Sequence, residues 1–86
     1  MTGETFFTEA LANTPKDISI KVDLSMRISD KIAAALSAQG LTQKDFAKMM
    51  GKNEAEVSRW LSGMHNFTLA TLAKISAALE IPLVEV

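Results

Sequence analysis

Apolar residues recur at helical spacing along most of the chain. In SMRISDKIAAALSAQ (residues 25–39), Ile28, Ile32, Ala35 and Leu36 share one side of a 3.6-residue period, which predicts an amphipathic helix with these four turned inward. Gly40 follows, and glycine most readily takes the left-handed conformation that closes a helix. Thr42 opens the next helix, with Asp45 three residues on in a capping-box pattern, although Asp is shorter than the preferred Glu or Gln. Phe46, Ala47, Met49 and Met50 supply its apolar faces and Gly51 ends it. Asn53 is the expected cap of a third helix, with Glu56 at the third position of a second capping box, Val57, Trp60 and Leu61 as the apolar side, and Gly63 as the close. Thr68 caps a fourth, in which Leu69, Leu72, Ile75, Ser76 and Leu79 lie near one stripe, and Pro82 stops it.

The two ends are read with alternatives open. Thr14-Pro15-Lys16-Asp17 is a helix-start signal: Thr14 can cap, Pro15 suits the first turn, and Asp17 faces the positive end of the helix dipole. Ile18, Ile20, Val22 and Leu24 then alternate as a strand does, while Ile20, Leu24, Ile28 and Ile32 also fall at i, i+4. The capping signal and the helical sequel favour helix over residues 15–24. Residues 1–14 read as an arm, with Phe6, Phe7, Ala10 and Leu11 on one helical side, packed on the body or on a second copy. Leu83-Val84-Glu85-Val86 alternates and reads as a short strand or an ordered extension.

Eighty-six residues allow one domain with a modest core. The absence of cysteine excludes disulfides and thiolate metal sites, and one histidine alone builds no zinc site. No metal and no cofactor is expected. No apolar run approaches the roughly 18 residues that a membrane span requires. The first 14 residues lack a basic residue and an unbroken apolar stretch, so no secretory signal is expected, and the chain reads as soluble and cytoplasmic. The net charge of −1 excludes indiscriminate coating of DNA, but an electrostatic footprint is local. Residues 41–79 carry a net +2, between a −1 segment before and a −2 tail after.

That positive middle contains the most informative spacing. Ala47 is small enough for a second helix to cross close by, Gly51 falls at the turn, and Val57 faces the core from the second helix. This is helix-turn-helix geometry, in which the second helix enters the major groove. LTQKDFAKMMGKNEAEVSRWLSG followed by NFTLATLAKISAALEI resembles the Xre/Cro-type helix-turn-helix repressors over about residues 25–82. VSRWLSG-x-HNFTL is similar to a branch that often contains antitoxins of HigBA-like toxin–antitoxin pairs. The resemblance implies an all-α fold: a small four- to five-helix bundle of the lambda-repressor-like helix-turn-helix type. An N-terminal arm (1–14) would precede a DNA-binding domain (15–86) whose helix-turn-helix spans about residues 42–62.

It also implies roles at matching positions. Gln43 would touch a phosphate and brace the recognition helix, and Asn53, Glu54, Ala55, Ser58 and Arg59 would face the groove. Helical geometry agrees: at about 100° per residue, 54, 55, 58 and 59 share a face while 57, 60 and 61 turn toward the bundle. Arg59 is the foremost base reader, because its fork can donate two bonds to guanine O6 and N7. Ser58 can bond a base or a phosphate, and Ala55 can pack on a thymine methyl. Glu54 would repel phosphate unless it accepts from cytosine N4 or pairs with Lys52 or Arg59; otherwise it is solvated. Glu56 stabilises the helix start. Candidate contacts to the DNA backbone are Thr42, Gln43, Lys44, Lys48, Lys52, Asn53, His65 and Asn66, with Lys44 and Lys48 alternatively ordinary solvated charges. Trp60, Met49 and Met50 read as packing residues, and His65 as a loop residue near phosphate or solvent.

The expected function is a sequence-specific DNA-binding transcriptional regulator, a repressor that binds an inverted-repeat double-stranded operator as a homodimer with the 54–62 helix in the major groove. Alternatives are an antitoxin that clasps a small toxin protein and represses its own operon, or a protein-interaction module without DNA binding. No nucleophile with a base, no paired carboxylates and no phosphate-cradling glycine loop is evident, so an enzyme is not expected.

Overall fold

Capping chemistry divides the chain nearly where the sequence places it. A computed structural model describes residues 15–84, in which the elements are α1 (Lys16–Gln39), α2 (Gln43–Met50), α3 (Glu54–Leu61) and α4 (Leu69–Leu79). The described residues form an all-α four-helix bundle without a strand. The arm expected over residues 1–14, with its Thr14 cap, lies outside the described residues, as do Glu85 and Val86.

Residues 16–24 are helical and continue into the rest of α1 without a break. No glycine or proline interrupts this stretch, and extending an existing helix adds a bond per residue fixed. The lower propensity of Ile18, Ile20 and Val22 amounts to tenths of a kcal/mol each, too little to offset it. Pro15 stands at the N-cap, one residue outside the first turn, with no side-chain cap bond. At the far end Gly40 is left-handed (φ 67°), and the N–H groups of Gly40 and Leu41 return to the carbonyls of Ser37 and Leu36. Gly51 (φ 65°) closes α2 in the same way, its N–H and that of Lys52 reaching Lys48 and Ala47.

The caps of α2 and α3 differ. Thr42 and Asp45 complete a reciprocal box: the Thr42 N–H donates to Asp45 Oδ2 at 3.0 Å and the Asp45 N–H to Thr42 Oγ1 at 3.0 Å. The shorter Asp therefore suffices. Asn53 Oδ1 accepts from the Glu56 N–H at 2.8 Å, but no return bond from the Glu56 carboxylate is made, so the second box is half a box. Ser62, not Gly63, caps the end of α3, and Gly63 follows with φ 83°. Thr68 caps α4 by accepting from the Thr71 N–H.

Each helix contributes a completely buried side chain to the centre: Ile32, Phe46, Val57 and Ile75. Leu79 and Leu83 extend this core toward the end of the chain. Burial of such a side chain stabilises the fold by roughly 1.5–3 kcal/mol. The rings of Phe46 and Trp60 meet edge to face, centroids 6.0 Å apart, joining α2 to α3. After α4, Ser76 Oγ donates to the Ile81 carbonyl at 2.6 Å and accepts the Leu83 N–H at 3.3 Å. That residue-by-residue tethering makes 81–84 an ordered extension.

Two apolar readings are corrected, at Met49 and Leu69, and the inward face of α1 stops short of its first turns. Ile20 and Leu24 are 53 % and 48 % exposed, because a row at i, i+4 drifts by about 40° per step and leaves the face that Ile28 and Ile32 define. Met49 is 48 % exposed; it sits about 110° from the direction that Phe46, Ala47 and Met50 share. Leu69, at the first position of α4, is 82 % exposed, about 100° from the direction between Ile75 and Leu79.

The Thr42 N–H and hydroxyl hold the exposed Asp45 carboxyl below its ordinary value of 3.8, with smaller help from Lys48 and Lys44. A lowered native pKa means stability that is present above the ordinary value and lost as the pH falls through the native one. Asp45→Asn is therefore expected to be less stable than the parent at neutral pH, with the gap closing in acid. Urea midpoints at about pH 7, 5 and 2.5 measure this, and a gap independent of pH contradicts it.

Candidate nucleic-acid interface

The exposed face of α3 depends on how the helix is held. Val57 and Trp60 anchor it from below, the first completely buried and the second 3 % exposed, and half-buried Leu61 packs against the same core. Rotation fixed in this way leaves Glu54, Ala55, Ser58 and Arg59 exposed together. The four side chains expected to share a face do share it.

A second restraint is one that the sequence reading misses. Ser29, buried in α1, donates from Oγ to the Trp60 carbonyl at 2.6 Å and accepts the Gly63 N–H at 3.1 Å. One hydroxyl thus satisfies two backbone groups at the C-terminal end of α3, where carbonyls have no partner within the helix. Nearby, Ser25 Oγ donates to the His65 carbonyl at 3.0 Å, fixing the loop that follows. Ser25 and Ser29 lie on the buried stripe with Ile28 and Ile32. Small hydroxyl residues interrupting an apolar stripe are the signal that would have found them.

The cap of α3 leaves donors free. Asn53 spends its Oδ1 on the Glu56 N–H, so its side-chain amide still has both hydrogens. The Thr42 hydroxyl, by contrast, is engaged in its own cap, accepting the Asp45 N–H and helping to lower the Asp45 carboxyl. Both residues are exposed, as are Gln43, Lys44, Lys48, Lys52 and Asn66. Among the described residues the ion pair is Arg27–Asp23, and none joins Glu54 to Lys52 or Arg59. Glu54 is thus solvated, and the Arg59 guanidinium carries no ion-pair partner there. His65 is only half exposed, and its ring stands edge-on to Phe67 with centroids 4.8 Å apart. Asn66 borders a groove beside α1.

Among the described residues no group of three or more His, Cys, Asp and Glu side chains is placed to hold a metal ion. No helix there is long and apolar enough to cross a membrane.

Ser29→Ala leaves the Trp60 carbonyl and Gly63 N–H without their shared partner. An unsatisfied buried group costs about 1–3 kcal/mol, so a loss of that size is expected in urea unfolding at neutral pH. Faster amide exchange at Gly63 would localise the change. A variant as stable as the parent would show that the hydroxyl is not a restraint.

No curated protein and no solved structure matches the chain. A helix-turn-helix family model matches residues 32–86, beginning within α1 and covering α2, the turn, α3, α4 and the tail. The match points to a DNA-binding regulatory role, and proteins of this family are typically not catalysts. The order of elements, the left-handed Gly51 at the turn and the exposed face of α3 agree with it. The chain belongs to the helix-turn-helix family, of the Xre/Cro type.

Proposed function

We propose that the chain is a transcriptional repressor that reads an inverted-repeat operator as a homodimer, with α3 in the major groove of each half-site. The observation that carries this reading is the division of α3. Its buried side is locked by Val57, Trp60 and the Ser29 hydroxyl, while Ala55, Ser58 and Arg59 are free on the opposite side. A rigidly held helix with an unpaired guanidinium on its outer face suits direct base readout. Residues 15–86 form the DNA-binding domain in this reading, and residues 1–14 an arm.

Arg59 reads guanine through its fork, Ser58 bonds a base or phosphate, and Ala55 meets a thymine methyl. Solvated Glu54 accepts from cytosine N4 and disfavours other bases. Gln43, Lys44, Lys48, Lys52, the Asn53 amide and Thr42 contact the backbone on either side. His65 and Asn66 contribute from the loop. With few basic residues in the middle segment, affinity depends on the geometry of contacts more than on net charge.

The narrower similarity of VSRWLSG-x-HNFTL supports a second reading, an antitoxin that binds a small toxin and represses its own operon. Co-purification with the product of a neighbouring reading frame tests it; a chain that carries no such partner when both are expressed together counts against it.

Selection from a random duplex pool supplies the operator. Arg59→Ala is then expected to lose roughly 1–3 kcal/mol of discrimination at one base pair per half-site. Lys48→Ala weakens operator and random duplex alike and makes the salt dependence shallower by about one unit of slope for each phosphate it leaves unneutralised. Titrations at several salt concentrations measure both. Undiminished discrimination by Arg59→Ala would remove α3 as the reader, and no retention of any duplex at micromolar protein would favour an interaction module without DNA binding.

A further inference from the structure

The N-terminal half of α1 lies outside the family match, which begins at residue 32. Among the described residues it also carries exposed apolar side chains beside a groove. Ile20 and Leu24 stand about half exposed across a groove of about 530 Å³ from Leu69, with Ile28, Phe67 and Leu72 among the other lining residues. A contiguous apolar groove rimmed by charges marks an interaction surface.

Asp17 and Lys21 are the charged residues that line the groove, and a wider charge pattern along α1 that includes Asp17 indicates what fills it. Asp17, Ile20, Leu24 and Arg27 follow one another at intervals of three, four and three residues. At about 100° per residue they fall within about 80° of one another, on a single face. Read in the opposite direction the same face runs Arg, Leu, Ile, Asp. A second α1 laid antiparallel, with the two-fold axis level with Val22, brings Asp17 of each copy beside Arg27 of the other. The same register brings Ile20 of each copy beside Leu24 of the other. A parallel arrangement in register would instead oppose Asp17 to Asp17 and Arg27 to Arg27. Among the described residues the ion-pair partner of Arg27 is Asp23, at 3.0 Å within the same helix and with both side chains mostly exposed. Such a pair holds weakly, so Arg27 is free to share its fork.

We propose that two copies of this chain associate through the N-terminal halves of α1, paired antiparallel, with the apolar groove receiving the partner helix. The surface is self-complementary, as a two-fold interface requires. The proposal rests on the homodimer in the functional reading above and identifies the surface that makes it. The charged ends set the register, and Ile20, Leu24 and Leu69 provide the burial.

Sedimentation equilibrium of the full chain without DNA tests this by charge exchange. The parent is expected to dimerise. Asp17→Arg alone and Arg27→Asp alone each place like charges together twice per dimer and are expected to raise the dissociation constant at least about tenfold. The double variant D17R/R27D restores opposite charges and should return to within about threefold of the parent. Circular dichroism of each variant checks that the helices persist, which is expected of exposed positions. A monomeric parent would overturn the proposal, as when residues 1–14 fill the groove or it serves a different protein. A dimer indifferent to both single reversals, or a double variant no better than the singles, would overturn it too. The DNA reading fails separately: Arg59→Ala leaves association unchanged, whatever it does to operator binding.

Discussion

A single serine hydroxyl orders the end of the molecule that faces outward. Ser29 holds the Trp60 carbonyl and the Gly63 N–H together. It fixes both the angle at which α3 leaves the core and the path of the loop beyond. A purely apolar contact resists separation but tolerates sliding; a hydrogen bond of defined direction resists both. Trp60 adds the complementary restraint, since its ring packs on Phe46 while its backbone is held by α1. Residue 60 therefore joins α1, α2 and α3. The inward face of α3 sets its position and leaves the outward face exposed for the contact proposed above.

The same device recurs elsewhere. Ser25 fixes the loop at His65, Gln39 donates to the Leu79 carbonyl at 2.8 Å, and Ser76 holds the segment from Ile81 to Leu83. Each joins a helix to backbone that regular structure leaves without a partner. In a domain with a small core, such bonds allow short helices and irregular connections to keep one arrangement. They surround α3 and α4, so the elements proposed to meet DNA are positioned by polar bonds as well as by burial.

Much of this was legible in the sequence because it is local. Thr42, Asn53 and Thr68 announce helix starts through bonds spanning three residues, and Gly40 and Gly51 announce stops through a backbone conformation. The buried pair Val57 and Trp60 and the exposed pair Ser58 and Arg59 follow from helical period alone. The misplacements have a common origin. Met49 and Leu69 are apolar and near the expected stripe, but burial depends on which direction the neighbouring helices occupy. The partners of Ser29 are hidden for a related reason: a hydroxyl in an apolar stripe shows that a partner is needed, but the Trp60 and Gly63 backbone groups lie 31 and 34 residues away and nothing adjacent names them. The continuous course of α1 through Ile18–Leu24 illustrates the reverse case, in which an alternating pattern is overridden by a helix already formed beside it.

Asn53 has a consequence for how the sequence can change. Its carbonyl oxygen starts α3, and its amide hydrogens remain available on an exposed side chain proposed to meet a phosphate. Aspartate would preserve the first task but substitute negative charge for the outward donors; serine keeps a cap with a shorter reach. Alanine removes both. Two independent demands thus meet in one exposed side chain, and the substitutions that satisfy both are few. If the proposed contact holds, tolerance to replacement at this position is narrower than its exposure alone would indicate, and aspartate is the change that would separate loss of recognition from loss of folding.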